Sequence, residues 1–270
     1  MIEKSTDKEI MTTWDRQRFF MDTIAWGKVT DQTRLIFVGV EDGGQGWVRG
    51  RAFGQVDYEI LGCIDKANKS FVPHRYIVPS GASQKQQITE KFQCSFALEL
   101  RRVLDIFPSP PVDPESYYRS EFLNQFELAA NLFPFAKPSS ASSFDEQTRK
   151  YIGLSDPASP LQAMSKKELI AYRLDGICRL RHNLALDGRL LVMVLMGRWT
   201  RPQYIRRQIV GEKGCAVNES IQLQRKKQIA ECVKMGRMIY CFVPHPSYNW
   251  VSEEDARNIV DELDGKKWFD

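Results

Sequence analysis

Apolar residues follow two patterns along this chain. Four continuous apolar runs predict buried strands, at residues 35–40, 128–130, 190–196 and 238–243. Amphipathic or helix-forming stretches predict helices over residues 8–26, 91–107, 121–127, 165–184, 220–234 and 252–263. Because strands alternate with helices, the pattern predicts an α/β fold with a short central parallel sheet in a three-layer α/β/α arrangement.

Local signals refine the ends of these elements. Ser165 and Glu168 have the spacing of a capping box, and Ser252 is the expected cap of the last helix. Pro108 is expected to end the helix over residues 91–107. Residues 57–89 are less regular and predict short strands and turns. Residues 138–160 are rich in Ser and Pro, and they predict a loop that could reach over one edge of the sheet.

Polar residues follow three of the predicted strands at the point where each one ends. Residues 41–44 read Glu-Asp-Gly-Gly, residues 131–134 read Asn-Leu-Phe-Pro, and residues 245–247 read His-Pro-Ser. The carboxyl ends of parallel strands lie at one edge of a sheet, and open α/β folds bind their ligands there. These three groups are therefore expected to meet.

In this order, the three groups resemble the signature motifs of the uracil-DNA glycosylase superfamily, between about residue 35 and about residue 250. In that family the first strand ends in Gly-x-Asp-Pro-Tyr or Gly-x-Asn-Pro-Gly, and residues 39–43 stand in that register. The resemblance gives Glu41 the catalytic position. Asp42, which stands where the family has proline, is the alternative working carboxylate. His245 matches the histidine that faces the leaving base, so Glu41, Asp42 and His245 are the expected catalytic residues.

The same resemblance implies a pocket for a flipped pyrimidine. Phe53 lies in a stretch similar to the Gly-Arg-Pro-Phe of the family's thermophilic branch, whose aromatic ring stacks on the base. Asn131 and Phe133 belong to a motif similar to the Asn-Leu-x-Pro of the single-strand-selective branch, whose asparagine reads the base edge. An asparagine amide pairs with uracil in one orientation and with cytosine in the other, so Asn131 does not choose the base. Gly43 replaces a tyrosine that excludes C5 substituents in the uracil-strict branch, which leaves room for a modified base.

A second group of residues is expected to contact DNA. The net charge of +4 is small. The basic segment, residues 198–213, however concentrates arginine and lysine and contains Trp199 and Tyr204, a mixture suited to phosphate contact and base stacking. A solvated loop with two anchoring aromatic residues is the other interpretation of this segment. Its candidate arginines are Arg198, Arg201, Arg206 and Arg207. The resemblance adds Ser247 as a phosphate contact, and Tyr248 or Trp250 in place of the family's leucine wedge.

Composition limits the class of protein. The chain has 270 residues, 43% of them hydrophobic and 27% charged, which predicts one domain over residues 1–270 with insertions near 57–90, 138–163 and 198–220. The N-terminal residues do not have the layout of a signal peptide, and no apolar run approaches the roughly 18 residues that a membrane span requires. A cytoplasmic monomer without a membrane partner is expected.

Cysteine spacing argues against a bound metal. The six cysteines include no C-x-x-C pair, and the ligand spacing of the thermophilic branch's iron–sulfur cluster does not occur. The three histidines show no zinc-binding pattern. We therefore expect neither a metal nor another cofactor.

Together the motifs predict a monofunctional DNA glycosylase that hydrolyses the N-glycosidic bond of a uracil-like or 5-modified pyrimidine. Its product is an abasic site, made in DNA repair or in defence against phage. The motifs place no lysine as a Schiff-base nucleophile, so strand cleavage is not expected. Two alternatives stay open: a DNA-binding member of the superfamily that has lost catalysis, and a nucleoside or nucleotide N-glycosidase.

Overall fold

The structure is a computed structural model that describes residues 25–26, 29–41, 64–65, 70–71, 84–106, 113–121, 125–133, 166–211, 218–224, 228–246 and 251–270. The strands in these ranges are β1 (Ala25–Trp26), β2 (Leu35–Glu41), β3 (Ile64–Asp65), β4 (Ser70–Phe71), β5 (Glu127–Phe133), β6 (Leu191–Met196), β7 (Glu219–Gln222), β8 (Ile229–Met235) and β9 (Met238–Val243). The helices are α1 (Gln84–Val103), α2 (Pro114–Ser120), α3 (Lys166–Ala185), a 3₁₀ turn (Arg198–Thr200), α4 (Gln203–Val210) and α5 (Glu253–Gly265).

Seven of these strands form one sheet in the order β1-β5-β2-β6-β9-β8-β7, and β3 pairs with β4 separately. The four central strands β5, β2, β6 and β9 are parallel. The strands on either side of them, β1, β8 and β7, pair antiparallel to their neighbours. The predicted α/β class is confirmed, and the sheet is mixed around its parallel centre.

The order of the parallel strands creates a crevice. From β2 the chain first adds β5 on one side, and it then crosses to add β6 on the other side. In doubly wound sheets such a reversal is a topological switch point, and ligands bind outside the carboxyl ends of the two strands that flank it. Here those strands are β2 and β6.

Alternating residues of the central strands divide the core into two clusters. Leu35 and Phe37 pack with residues of α1 and α5, whereas Ile36 and Val38 pack with residues of α3 and α4. All six residues of β6 are buried, as expected for a strand that is covered on both faces. The predicted strands at 35–40, 190–196 and 238–243 are therefore confirmed.

Two predicted helices are wrong. The helix predicted over 121–127 does not match the described residues: Glu121 is a turn residue at the end of α2, Gln125 and Phe126 are not helical, and Glu127 begins β5. Asp113 caps α2, because its side chain accepts from the Glu115 and Ser116 amides. Residues 220–234 form the hairpin of β7 and β8, in which Ile221 and Cys232 are buried while Ser220 and Gln222 are exposed. This alternation extends the sheet beyond β9 and buries apolar side chains that a helix would have placed differently.

A buried polar cluster surrounds Glu127, the first residue of β5. The Tyr117 hydroxyl donates to the Glu127 carboxylate at 2.8 Å, and burial raises the pKa of this phenol well above its ordinary value. The Arg101 guanidinium lies over the rings of Tyr117 and Phe126, at 5.8 and 5.4 Å from their centroids. These contacts join α1 and α2 to the amino end of β5.

The other predicted elements differ mainly at their ends. The helix expected over residues 91–107 is α1, which begins at Gln84, within the stretch predicted as strands and turns, and ends before Pro108 because Asp105 turns with φ +50°. The helices at 165–184 and 252–263 are confirmed as α3 and α5. Ala25–Trp26, expected to end the first helix, forms β1 instead, where it gains an antiparallel partner in β5. The rest of that helix, Ser165 and the loop at 138–160 lie outside the described residues.

Asp255 fixes the start of α5 and joins it to the β7–β8 hairpin. Its buried carboxylate completes a capping box with Ser252 and accepts from the Gln224 amide at 2.8 Å. We expect Asp255→Ala to lower the free energy of unfolding by about 2–3 kcal/mol, because it removes a cap and leaves the Gln224 N–H without its carboxylate. Urea denaturation measures this loss. The exposed neighbour Glu254 is the matched control, and an equal loss in Glu254→Ala would contradict the explanation.

Candidate functional site

The parallel strands bring the ends of the three sequence motifs to one edge of the sheet. Glu41 ends β2 and pairs in the ladder with Phe133, which ends β5. On the other side of the switch point, Met196 at the end of β6 pairs with Val243 at the end of β9. His245 follows Val243 by two residues. The described parts of the three motifs therefore lie at the same edge of the sheet.

Asn131 is placed differently from the sequence expectation. It lies within β5 and pairs with Gly39, two residues before the strand ends, because the ladder with β2 continues as far as Phe133. The prediction had placed Asn131 after its strand. Neighbouring strands are about 4.8 Å apart, so the backbones of β2 and β9, with β6 between them, are separated by about 10 Å.

Several predicted site residues lie outside the described residues: Asp42, Gly43, Phe53, Ser247, Tyr248 and Trp250. Four others, Glu41, Asn131, Phe133 and Arg198, are placed by their backbone alone. His245, Arg201, Arg206 and Arg207 are described with their side chains.

His245 lies half-buried at this edge of the sheet. Pro244 and Pro246 on either side are buried, and the imidazole itself is only partly exposed. Burial lowers the pKa of His245 to about 4, because removal from water penalises the charged form. At neutral pH the ring is therefore uncharged, with one N–H donor and one acceptor nitrogen.

Gly197 and Trp199 complete the surroundings of His245. The Gly197 N–H donates to the Val243 carbonyl at 2.8 Å, which extends the pairing of β6 with β9. Gly197 has φ +114°, and a Cβ at this position would lie 3.1 Å from Trp199 Cδ1 and 3.7 Å from His245 Cδ2. The Trp199 indole donates through Nε1 to the Met196 carbonyl at 2.7 Å. A glycine at position 197 thus lets an indole and an imidazole approach the same point.

Sequence reasoning missed three residues of this edge. It treated Trp199 only as an aromatic residue within a basic segment, and it gave no role to Gly197, although a glycine directly after an apolar run signals a turn at a strand end. Arg173 was also missed. Its buried side chain on α3 donates through Nε to the Leu132 carbonyl at 3.1 Å, beside Asn131. No local pattern distinguishes Arg173 from the other basic residues of its helix.

The basic segment is more ordered than a solvated loop. Arg206 forms an ion pair with Glu231, and its guanidinium lies 4.5 Å from the centroid of the Phe242 ring, so it anchors α4 to the sheet. Arg201 and Arg207 are exposed. Contact of the four arginines with phosphate remains a prediction, and exposure favours these two.

Within the described residues, no group of three or more His, Cys, Asp or Glu side chains is arranged to hold a metal ion. In the same part of the chain, every helix is too short or too polar to cross a bilayer.

The lowered pKa of His245 predicts a pH dependence of stability. Between about pH 6.5 and pH 4 the unfolded chain binds this proton more readily than the folded chain, so stability falls as the pH drops through this window. We expect a loss of about 1–2 kcal/mol between pH 7 and pH 5 that His245→Gln does not show. Urea denaturation at the two pH values measures it. The same loss in both proteins would assign it to other groups.

No protein-family model matches this sequence, and no curated protein matches it. What the chain does is therefore inferred from its own residues and their placement.

Proposed function

We propose that this chain is a monofunctional DNA glycosylase of the uracil-DNA glycosylase type. It flips out a uracil-like or 5-modified pyrimidine and hydrolyses its N-glycosidic bond, which leaves an abasic site. The observation that carries the proposal is that the three motifs reach the same edge of the sheet, near the switch point. There Glu41 at the end of β2 pairs with Phe133 at the end of β5, and His245, which is neutral at pH 7, follows the end of β9.

The residues at this edge match the demands of the reaction. The bond between C1′ and the base nitrogen breaks with its electron pair going to the base, and the sugar becomes cation-like. The carboxylate of Glu41, or of Asp42, stabilises that cation and takes a proton from the water whose oxygen bonds to C1′. His245 donates its N–H to the anion that develops on the departing base, as an oxyanion-hole donor does.

A neutral histidine suits this role better than a charged one. A dry, uncharged imidazole offers a donor without requiring a proton to enter the pocket first, so the site operates over a wide range of pH. The base leaves as an anion and takes its proton from solvent afterwards. This favours pyrimidines, such as uracil and its 5-substituted forms, whose ring nitrogen carries negative charge readily.

The remaining assignments follow from the proposed family. In the three-layer arrangement of that family, Gly43, Phe53, Asn131 and Phe133 form the base pocket, and Ser247 contacts a phosphate. Tyr248 or Trp250 fills the gap left by the flipped base, whose extrusion costs a few kcal/mol. The exposed Arg201 and Arg207 contact the DNA backbone. The protein acts as a cytoplasmic monomer without a cofactor, in repair or in defence against phage.

A panel of end-labelled oligonucleotides tests the proposal. Each carries one uracil, thymine, cytosine or 5-substituted pyrimidine, in single-stranded or double-stranded form, and alkali after incubation reveals abasic sites. We expect cleavage after alkali, none before it, and release of the free base. Free nucleosides form a parallel set. Hydrolysis of nucleosides without any action on DNA would replace this proposal with a small-molecule N-glycosidase, and binding without excision would indicate an inactive family member.

A further inference from the structure

Trp199 lies close to His245, since atoms of both side chains are within 4 Å of the point where a Cβ would stand at Gly197. Its indole packs against the core cluster on the α3 and α4 side of the sheet, and its Nε1–H donates to the Met196 carbonyl at 2.7 Å. The ring is therefore fixed both by apolar packing and by one hydrogen bond to the end of β6. A tryptophan placed only for surface contact with DNA would not need either restraint.

Gly197 is the residue that makes the close approach possible. Trp199 Cδ1 and His245 Cδ2 both lie within 4 Å of the point where a side chain would begin at position 197. With φ +114°, the backbone there also favours glycine over other residues. A side chain at position 197 would therefore press on the indole of Trp199 and touch the imidazole of His245.

We propose that Trp199 is a positioning residue for His245: its indole covers one side of the imidazole, excludes water from it and restricts the rotation of the ring. This inference deepens the proposed function, since it explains how the donor to the leaving base is kept dry and oriented. Burial is the cause of the lowered pKa of His245, and a fixed indole beside the ring supplies part of that burial.

Nearby charges do not offer a competing explanation within the described residues. The low pKa of His245 is attributed to burial, without a charged neighbour among its causes. Among the described charged residues of the neighbouring elements, Arg206 is paired with Glu231, Arg181 donates to the Tyr240 hydroxyl and the Ile209 carbonyl, and Arg201 and Arg207 are exposed.

Nuclear magnetic resonance titration of the histidine side chains tests the inference directly. The chain has only three histidines, and His245→Gln identifies the signal of His245 by its loss. In the unaltered protein we expect that signal to titrate with a pKa of about 4. Trp199→Ala should raise this pKa toward the ordinary value of about 6.5, because water reaches the ring. Trp199→Phe, which keeps an aromatic face, should leave most of the effect in place.

Trp268 provides the matched control. It is also a partly exposed tryptophan packed against the core, but it follows α5 at the opposite edge of the sheet. Trp268→Ala should leave the titration of His245 unchanged, although it removes the same side chain. Should Trp199→Ala fail to fold, Trp199→Leu keeps more of the packed volume and is expected to raise the pKa by a smaller amount.

The activity of the same variants separates this inference from the proposed function. On a substrate that the protein excises, Trp199→Ala should slow single-turnover excision about tenfold or more with little change in DNA affinity, because the donor is misplaced. An unchanged pKa of His245 in Trp199→Ala and Trp199→Leu would overturn the positioning role, whatever the activity. A raised pKa in a protein that excises no base would support the positioning role and overturn the glycosylase proposal.

Discussion

Replacing His245 by alanine is expected to lower single-turnover excision about 10²–10³-fold while leaving the affinity for DNA nearly unchanged. In the proposed reaction the neutral imidazole donates to charge that develops only as the base departs, so its loss should be felt in the transition state and much less in the bound substrate. In free energy the expected loss is about 2–4 kcal/mol. Quenched single-turnover reactions with excess enzyme measure the rate, and fluorescence anisotropy with a labelled oligonucleotide measures binding.

The leaving group distinguishes a donor from a residue that only holds DNA. A base that departs easily needs less help, so the loss in His245→Ala should be smaller for pyrimidines with acidic ring nitrogens. His245→Gln retains an amide donor and should recover part of the rate. His182→Gln, at an exposed histidine on α3, is the control and should behave as the unaltered protein does. Equal losses on good and poor leaving groups would show that His245 positions the DNA instead.

The fully buried strands were easier to predict from this sequence than the partly exposed strands and the helices, and the reason is physical. A strand buried on both faces must be apolar at nearly every position, and β6 and β9 show that pattern without interruption. The hairpin of β7 and β8 carries polar residues on its exposed side, and its signal is therefore weaker. It becomes a strand pair because it extends an existing sheet edge, which is information that no short window of sequence contains.

The candidate site also combines residues that a local sequence signal identifies with contacts that depend on the assembled sheet. His245 was found from the sequence because it stands in a recognisable group directly after a buried strand. The closeness of Gly197 and Trp199 to His245 was not predicted, because these residues come together only when β6 and β9 lie side by side. The hydrogen bond from the Gly197 N–H to the Val243 carbonyl extends the pairing of the two strands up to this point. The chemical nature of a site residue is thus readable from the sequence, whereas its environment depends on the strand order.

The carboxylate at the end of β2 should give the largest effect of all. We expect Glu41→Gln to slow excision by about 10²–10⁴-fold, since the amide cannot accept the proton of water and cannot balance the charge of the sugar. Glu41 is the last residue of the ladder and is paired with Phe133, so its backbone is held by the sheet. A catalytic carboxylate benefits from such a support because its position must be reproducible. Single-turnover excision on the best oligonucleotide of the panel measures the effect.

Asp42→Asn is the matched variant, because it makes the same change of carboxylate to amide one residue further along. If Glu41 is the working carboxylate, Asp42→Asn should cost much less, and Glu41→Asp should recover part of the activity that Glu41→Gln loses. The reverse result would move the catalytic position to Asp42, where the uracil-DNA glycosylases that the motif resembles have proline, and would shift the register of the motif by one residue. If both amide variants excise as fast as the unaltered protein, the carboxylates at this edge do not act on the sugar, and the convergence of motifs at the switch point would have to serve binding alone.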